Sequence, residues 1–395
     1  MKTKTIIAFA YFLIAAVFGL AMRLSFISDL GVTYKHILHT HSHIALLGWL
    51  YNLALIFIGY TFLKEDVKKF NRIFWVSQIT FLGMLFSFPF QGYAFWSISF
   101  STLYLFASYW LIFEIFKSSK KLKGVEGKLL RAGGLFLFLS SIGPFALGAI
   151  MANQMKDTIW YHLSIFWFLH FLFNGFFYTV FLVLLLREIK KVVSVSEKKI
   201  KWVYYLTAFS IIPLYAEFVL ESVSSVWLIV FALLSSLAQL ASVLLIIKEI
   251  KIYFLQIVGN LKKALFGLSI LSLLFKVVFQ LLASLPFLNE MVFNSKSTLI
   301  IGYLHMVMLG MFSLFFIWVL IEQKVIKTNK LFKMGIWIFI VGVLLSELTL
   351  FGQGVANYVW HYGLPNYYMA LFSVSALMPL GVLGMLVSMF IKKLK

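Results

Sequence analysis

The chain contains no cysteine. That excludes structural disulfides, thiolate metal sites and iron–sulfur clusters, so any metal must be held by His, Met, Tyr or carboxylate. Charge is scarce as well: Asp, Glu, Lys and Arg make up only 12% of the 395 residues. A soluble domain covers itself with roughly twice that share. There is no P-loop and no glycine-rich dinucleotide fingerprint, and no internal repeat stands out. The connections between apolar runs are too short to hold a soluble domain.

What the chain has is apolar sequence. It is 62% hydrophobic with a mean hydropathy of +0.97. Runs of about 20 apolar residues, the length needed to cross a hydrocarbon core, recur throughout. Twelve spans are predicted at roughly 5–24, 40–63, 72–92, 94–116, 132–152, 159–186, 202–222, 225–247, 258–285, 297–321, 332–353 and 366–391. The boundaries to watch are near Pro89 and Gly92, and near Ser224. Arg23 follows the first run without a small-residue cleavage site, so that run reads as a span rather than a signal peptide. The expected fold is an all-α integral membrane protein with twelve transmembrane helices, forming a single polytopic domain over residues 1–395.

The net charge of +20 maps topology, not nucleic-acid binding. Of the 34 basic residues, all but Arg23, Lys35, Lys156, Lys276 and Lys296 fall on the side that holds both termini. The positive-inside rule then predicts N-in and C-in orientation, with the lipid bilayer as the surrounding partner.

The eight histidines, His36, His39, His41, His43, His162, His170, His305 and His361, all fall in the opposite half of the membrane. Ionisable groups inside a bilayer are costly and mark functional sites. Span two opens with His39-Thr40-His41-Ser42-His43, and span ten carries His305 at a matched depth of roughly 6–13 Å. Two such imidazoles can clamp a haem iron axially, and small residues nearby (Ala45, Gly48, Gly302, Gly310) leave room for a flat macrocycle. His43 is favoured as the span-two ligand because it is deepest, with His41 second. His41 points about 160° away from His43 on the helical wheel, and His39 is interfacial. In span six, His170 and Asn174 share a face and read either as a metal or haem-edge site or as an interhelical hydrogen bond. Glu217, Glu221 and Glu347 are candidates for proton relay or cation binding, and Arg23 and His361 are placed for haem propionates.

Twelve spans with histidines in spans two, six and ten resemble subunit I of the haem–copper oxidase superfamily. The resemblance implies the following residue roles. His43 or His41 matches the span-two ligand of a low-spin haem, and His305 matches its span-ten ligand. His170 matches a span-six copper ligand. The run His170-Phe171-Leu172-Phe173-Asn174-Gly175 is similar to the nitric oxide reductase branch, with Asn174 where that branch has Glu. Tyr303 stands where the high-spin haem ligand would be His, and span seven lacks the copper-binding histidine pair. Reduced twelve-span relatives of the NnrS type are also similar. The implied protein keeps a bis-His haem but lacks a binuclear centre. It would sit in a bacterial inner membrane with cytoplasmic termini and pass electrons from a donor protein or quinol, or handle nitric oxide or haem. Were it an enzyme it would be an oxidoreductase, but not an oxygen-reducing proton pump. Two other readings follow from the residues alone. One is a twelve-span transporter. The other is a haem-free copper or zinc protein built on His39–His43 and the methionines of span ten.

Overall fold

The structure is a computed structural model that describes residues 1–63, 66–122, 124–220, 222–223, 225–289 and 298–391, and these contain helices but no strand. Twelve helices are long and apolar enough to cross a membrane. They are α1 (Lys2–Leu24), α2 (Tyr34–Thr61), α3 (Val67–Gln91), α4 (Phe95–Ser119), α5 (Val125–Ala152), α6 (Ile159–Lys190), α7 (Glu197–Val219), α8 (Val226–Gln256), α9 (Asn260–Ala283), α10 (Thr298–Glu322), α11 (Lys330–Val359) and α12 (Tyr367–Ser388).

Number and order agree with the spans expected from hydropathy. The main differences lie at polar ends. Residues 34–39 already form the first turns of α2, and α11 continues to Val359. Pro89 sits inside the last turn of α3, and Gly92 makes the turn to α4 at a φ of +60°. That left-handed backbone favours a residue without Cβ. Ser224 and Glu221 lie outside the described residues. Twelve crossings would leave both chain ends on one face of a bilayer, the terminal face. Even-numbered helices then start at the opposite face.

Three helices bury far more of their apolar stretch than the rest: α6 (94%), α2 (83%) and α10 (78%), against 28–44% for the others. Each contains a run of wide, i→i+5 hydrogen-bonded turns: Ile44–Tyr51, Phe171–Phe177 and Met306–Ser313. Each run begins directly after a histidine, namely His43, His170 and His305. Such π segments are rare and cluster at functional sites.

The helices group into two compact units: Met1–Ala107 with Ser295–Lys395, and Ser108–Asn294. In the first unit the core is built on Trp49. Its ring stacks on Phe12 with centroids 4.1 Å apart, meets Phe9 edge-on at 5.0 Å, and donates Nε1–H to Ser313 Oγ at 2.8 Å. Helices α11 and α12 approach backbone to backbone through Gly335 and Gly381, where a Cβ on Gly381 would run into the backbone of Phe339 and Gly335. Small residues drive this kind of packing where the solvent is lipid. Gly381→Leu is therefore expected to destabilise the fold by about 1–3 kcal/mol or more, seen as a lowered unfolding temperature in detergent. An unchanged temperature would show that the two helices do not meet there.

In the second unit α6 packs against α5 through Phe136 and Phe171, with ring centroids 6.2 Å apart. Trp167 donates to the Leu139 carbonyl at 2.7 Å, and the Tyr215 hydroxyl to that of Leu163 at 2.7 Å. Near the terminal face, Lys199 pairs with Glu249 at 2.5 Å and Arg187 with Glu126 at 3.3 Å, joining α7 to α8 and α6 to α5.

Candidate cofactor site

In the first unit, α1, α2, α10, α11 and α12 enclose a cavity of about 450 Å³. Its floor is apolar: Phe12, Trp49, Leu50, Leu309, Phe339 and Met378. Towards the opposite face the wall turns polar, with Arg23, Tyr34, Gln353, Asn357 and Tyr367. His41 and His305 both line it, with ring centroids 6.4 Å apart and planes 43° to each other. Each lies seven steps into its helix, counting from Tyr34 and Thr298, or roughly 10 Å along the axis.

The tautomers follow from the backbone. His41 Nδ1 faces the Ala15 carbonyl at 2.8 Å, and His305 Nδ1 faces the Ile301 carbonyl at 2.9 Å. A carbonyl can only accept, so both Nδ1 atoms carry the proton and both Nε2 atoms keep their lone pair. This is the arrangement that orients imidazoles as metal ligands. Gly19 on α1 makes room for the His41 ring, since a Cβ there would stand 2.8 Å from its Cε1.

His43, the favoured span-two ligand on depth, does not reach the cavity. Its ring lies against Phe88 at 4.4 Å, its Nδ1 donates to the His39 carbonyl at 2.9 Å, and its Nε2 accepts from the Tyr93 hydroxyl at 3.2 Å. The cause is helical rotation: residues two apart on α2 face nearly opposite ways, so only one can meet α10, and the structure places His41 there. His39 packs on the same side as His43, with its ring 4.5 Å from that of Tyr93.

Arg23, near the end of α1, lines the cavity and donates to the hydroxyls of Ser375 and Ser346, the latter at 3.2 Å. Glu347 is 9% exposed, lies beside Gly302, and neither carboxylate oxygen has a hydrogen-bond partner among the described residues. Tyr303 does not line the cavity. His162 and His361 are exposed.

His170, expected as a copper ligand, sits in the second unit with both ring nitrogens committed. Nε2 donates to the Ile211 carbonyl at 2.7 Å, and Nδ1 accepts from Asn174 Nδ2 at 3.2 Å. Its one lone pair is therefore used. Among the described residues no group of three or more His, Asp or Glu side chains is placed to hold a metal ion. Asn174 and Glu217 instead belong to a buried polar network with Lys276, Gln239 and Gln280. Position fixed which histidine was deep, but not which way α2 turned it. Gly19, the residue that admits His41, gave no signal in the sequence.

Neither a protein-family model nor a curated protein matches this sequence.

Proposed function

We propose that this is a haem-carrying integral membrane protein, arranged like haem–copper oxidase subunit I, in which His41 and His305 hold one low-spin haem iron. The observation that carries this reading is the imidazole pair on one cavity, 6.4 Å between centroids, each with Nδ1 tied to a carbonyl. A metal held about 2.0–2.1 Å from a nitrogen of each ring would set the centroids roughly 6 Å apart. A cavity of about 450 Å³ is far larger than a bare ion needs and lies within the range of small-molecule sites.

A bis-His haem is saturated at iron and supplies one-electron transfer. The chain's own residues do the rest. Arg23 offers a fixed positive charge for a carboxylate at the polar end of the cavity, helped by Tyr34, Gln353 and Asn357. Phe12, Trp49 and Phe339 keep water from the apolar floor. With the His170 lone pair used, no histidine in α7 and Tyr303 off the cavity, a copper-containing second centre finds no ligand set among the described residues. The role is therefore electron transfer, or nitric oxide or haem handling, fed by a donor protein or quinol. The basic terminal face supports a bacterial inner membrane with cytoplasmic termini.

Met308 also lines the cavity, which supports a second reading: copper(I) held by His41, His305 and Met308. A reduced-minus-oxidised visible spectrum with metal analysis on protein from haem-replete cells separates the two. Sharp low-spin haem bands are expected. Copper without haem would favour the second reading, and a folded protein carrying neither would favour a transporter.

A further inference from the structure

The second unit holds a lysine and a glutamate that the haem reading does not use. Lys276 on α9 is fully buried, and Glu217 on α7 is 7% exposed. Burying two charges in a membrane is costly unless each is individually solvated by protein dipoles.

Lys276 is caged. Its ammonium donates to Gln239 Oε1 at 2.8 Å and to Gln280 Oε1 at 2.7 Å, and lies 4.9 Å from the centroid of the Tyr178 ring. From there the hydrogen bonds run one way. Gln280 donates to Asn174 Oδ1 (3.4 Å), Asn174 to His170 Nδ1 (3.2 Å) and His170 to the Ile211 carbonyl (2.7 Å). Each link orients a dipole with its positive end away from the ammonium, as a fixed positive charge requires. Carboxamides do not readily pass protons on, so this arm spreads the charge of Lys276 and does not conduct.

Glu217 is built differently. Its Oε1 accepts from the hydroxyls of Ser236 at 2.9 Å and Ser284 at 3.0 Å, and these two hydroxyls are 2.9 Å from each other. Both hydroxyls also reach the Gln280 carbonyl, Ser236 at 3.4 Å and Ser284 at 3.0 Å, so they fix the carboxylate against α9. Glu217 lies two residues before the end of α7, and Ser284 directly follows the end of α9, so both sit at the opposite-face ends of their helices. Lys276 is seven residues from its helix end, roughly 10 Å deeper along the axis. The charge that acts on Glu217 is that of Lys276 from α9. From α6, Tyr178 faces the ammonium and His170 ends its hydrogen-bonded arm, Tyr215 stands two residues earlier on α7, and α8 contributes the neutral Ser236 and Gln239.

We propose that Glu217 is an intramembrane proton-binding site near the opposite face, its carboxylate held by the Ser236–Ser284 hydroxyl pair and balanced by the caged charge of Lys276. Both serines are fully buried and Glu217 is slightly exposed, so the proton goes to the carboxylate directly. It adds to a Glu217 carboxylate oxygen, and no other bond changes. Ionised Glu217 leaves the Glu217–Lys276 pair neutral, and protonated Glu217 leaves the lysine charge unbalanced. The site would give the protein a way to take up or release one proton.

The test is a potentiometric titration of the purified full-length protein beside Glu217→Gln and Ser284→Ala. Glu217→Gln should lose about one titrating proton. Ser284→Ala, which keeps both charges but removes one donor to the carboxylate, should keep the count and raise the midpoint of that proton. A purely structural ion pair stays ionised wherever the protein is folded and would move neither reading, so superimposed curves, or an unmoved midpoint in Ser284→Ala, would overturn the proposal. Should Glu217→Gln fail to fold, infrared spectroscopy of the wild type replaces it. A carboxyl band that appears on acidification and shifts in deuterium oxide supports the site, and its absence refutes it.

Discussion

His305→Ala is expected to yield a folded protein without low-spin haem bands, and His41→Ala the same, while His43→Ala keeps them. The reasoning is geometric. His41 and His305 are the two imidazoles on the cavity of the first unit, and each presents an unprotonated Nε2 because a carbonyl holds the proton on Nδ1. Losing an orienting partner of a metal ligand costs about 10–100-fold in affinity, so losing the ligand itself should exceed about a hundredfold. His43 has its nitrogens on the His39 carbonyl and the Tyr93 hydroxyl, away from the cavity. Haem content per protein and the reduced spectrum measure all three variants. The opposite pattern, with His43→Ala losing haem and His41→Ala retaining it, would mean that α2 is rotated from the position described.

Gly19→Leu should do nearly the same damage without touching a ligand. The space a side chain would need at Gly19 is filled by the His41 ring, whose Cε1 and Nδ1 stand 2.8 and 3.0 Å from the Cβ position. A leucine there must push the imidazole aside and break its hydrogen bond to Ala15, one turn earlier on the same helix. A loss of about 10–100-fold in haem affinity is expected, the range for disturbing a ligand's orienting shell. Because the ring can yield by a few tenths of an ångström, Gly19→Ala should retain haem with a shifted or broadened spectrum. Equal haem content in Gly19→Leu and the wild type would show that His41 does not hold the iron.

The membrane architecture was legible in the sequence because it rests on hydropathy and length, which vary little with side-chain detail. Helix order, the short turn at Gly92 and the bias of basic residues to one face all follow from those two quantities. A histidine pair on spans two and ten was also legible, with His43 matched to His305 in depth; only the start of α2 at Tyr34 gives His41 that match. Rotation was not. Whether His41 or His43 meets α10 depends on how α2 packs on α1, and that depends on Gly19, a residue that looks like any other small residue in an apolar run. His170 misled for a related reason: its position in α6 matches a metal ligand, but its role is set by Asn174 and the Ile211 carbonyl, and the latter lies on a different helix. Lys276 was visible as a charge inside a span, but the two carboxamides and the tyrosine ring that hold it come from three helices.

The three π segments have a mechanical consequence. They occur in α2, α6 and α10, and each starts directly after a histidine. An i→i+5 turn holds more residues than an α turn, so each residue in the run advances less around the axis. The face a helix presents beyond its histidine is therefore carried round relative to the face it presents before it. In this way one helix offers His41 to the cavity from its α-helical first turns and sets Trp49 against Phe12 from within its wide run.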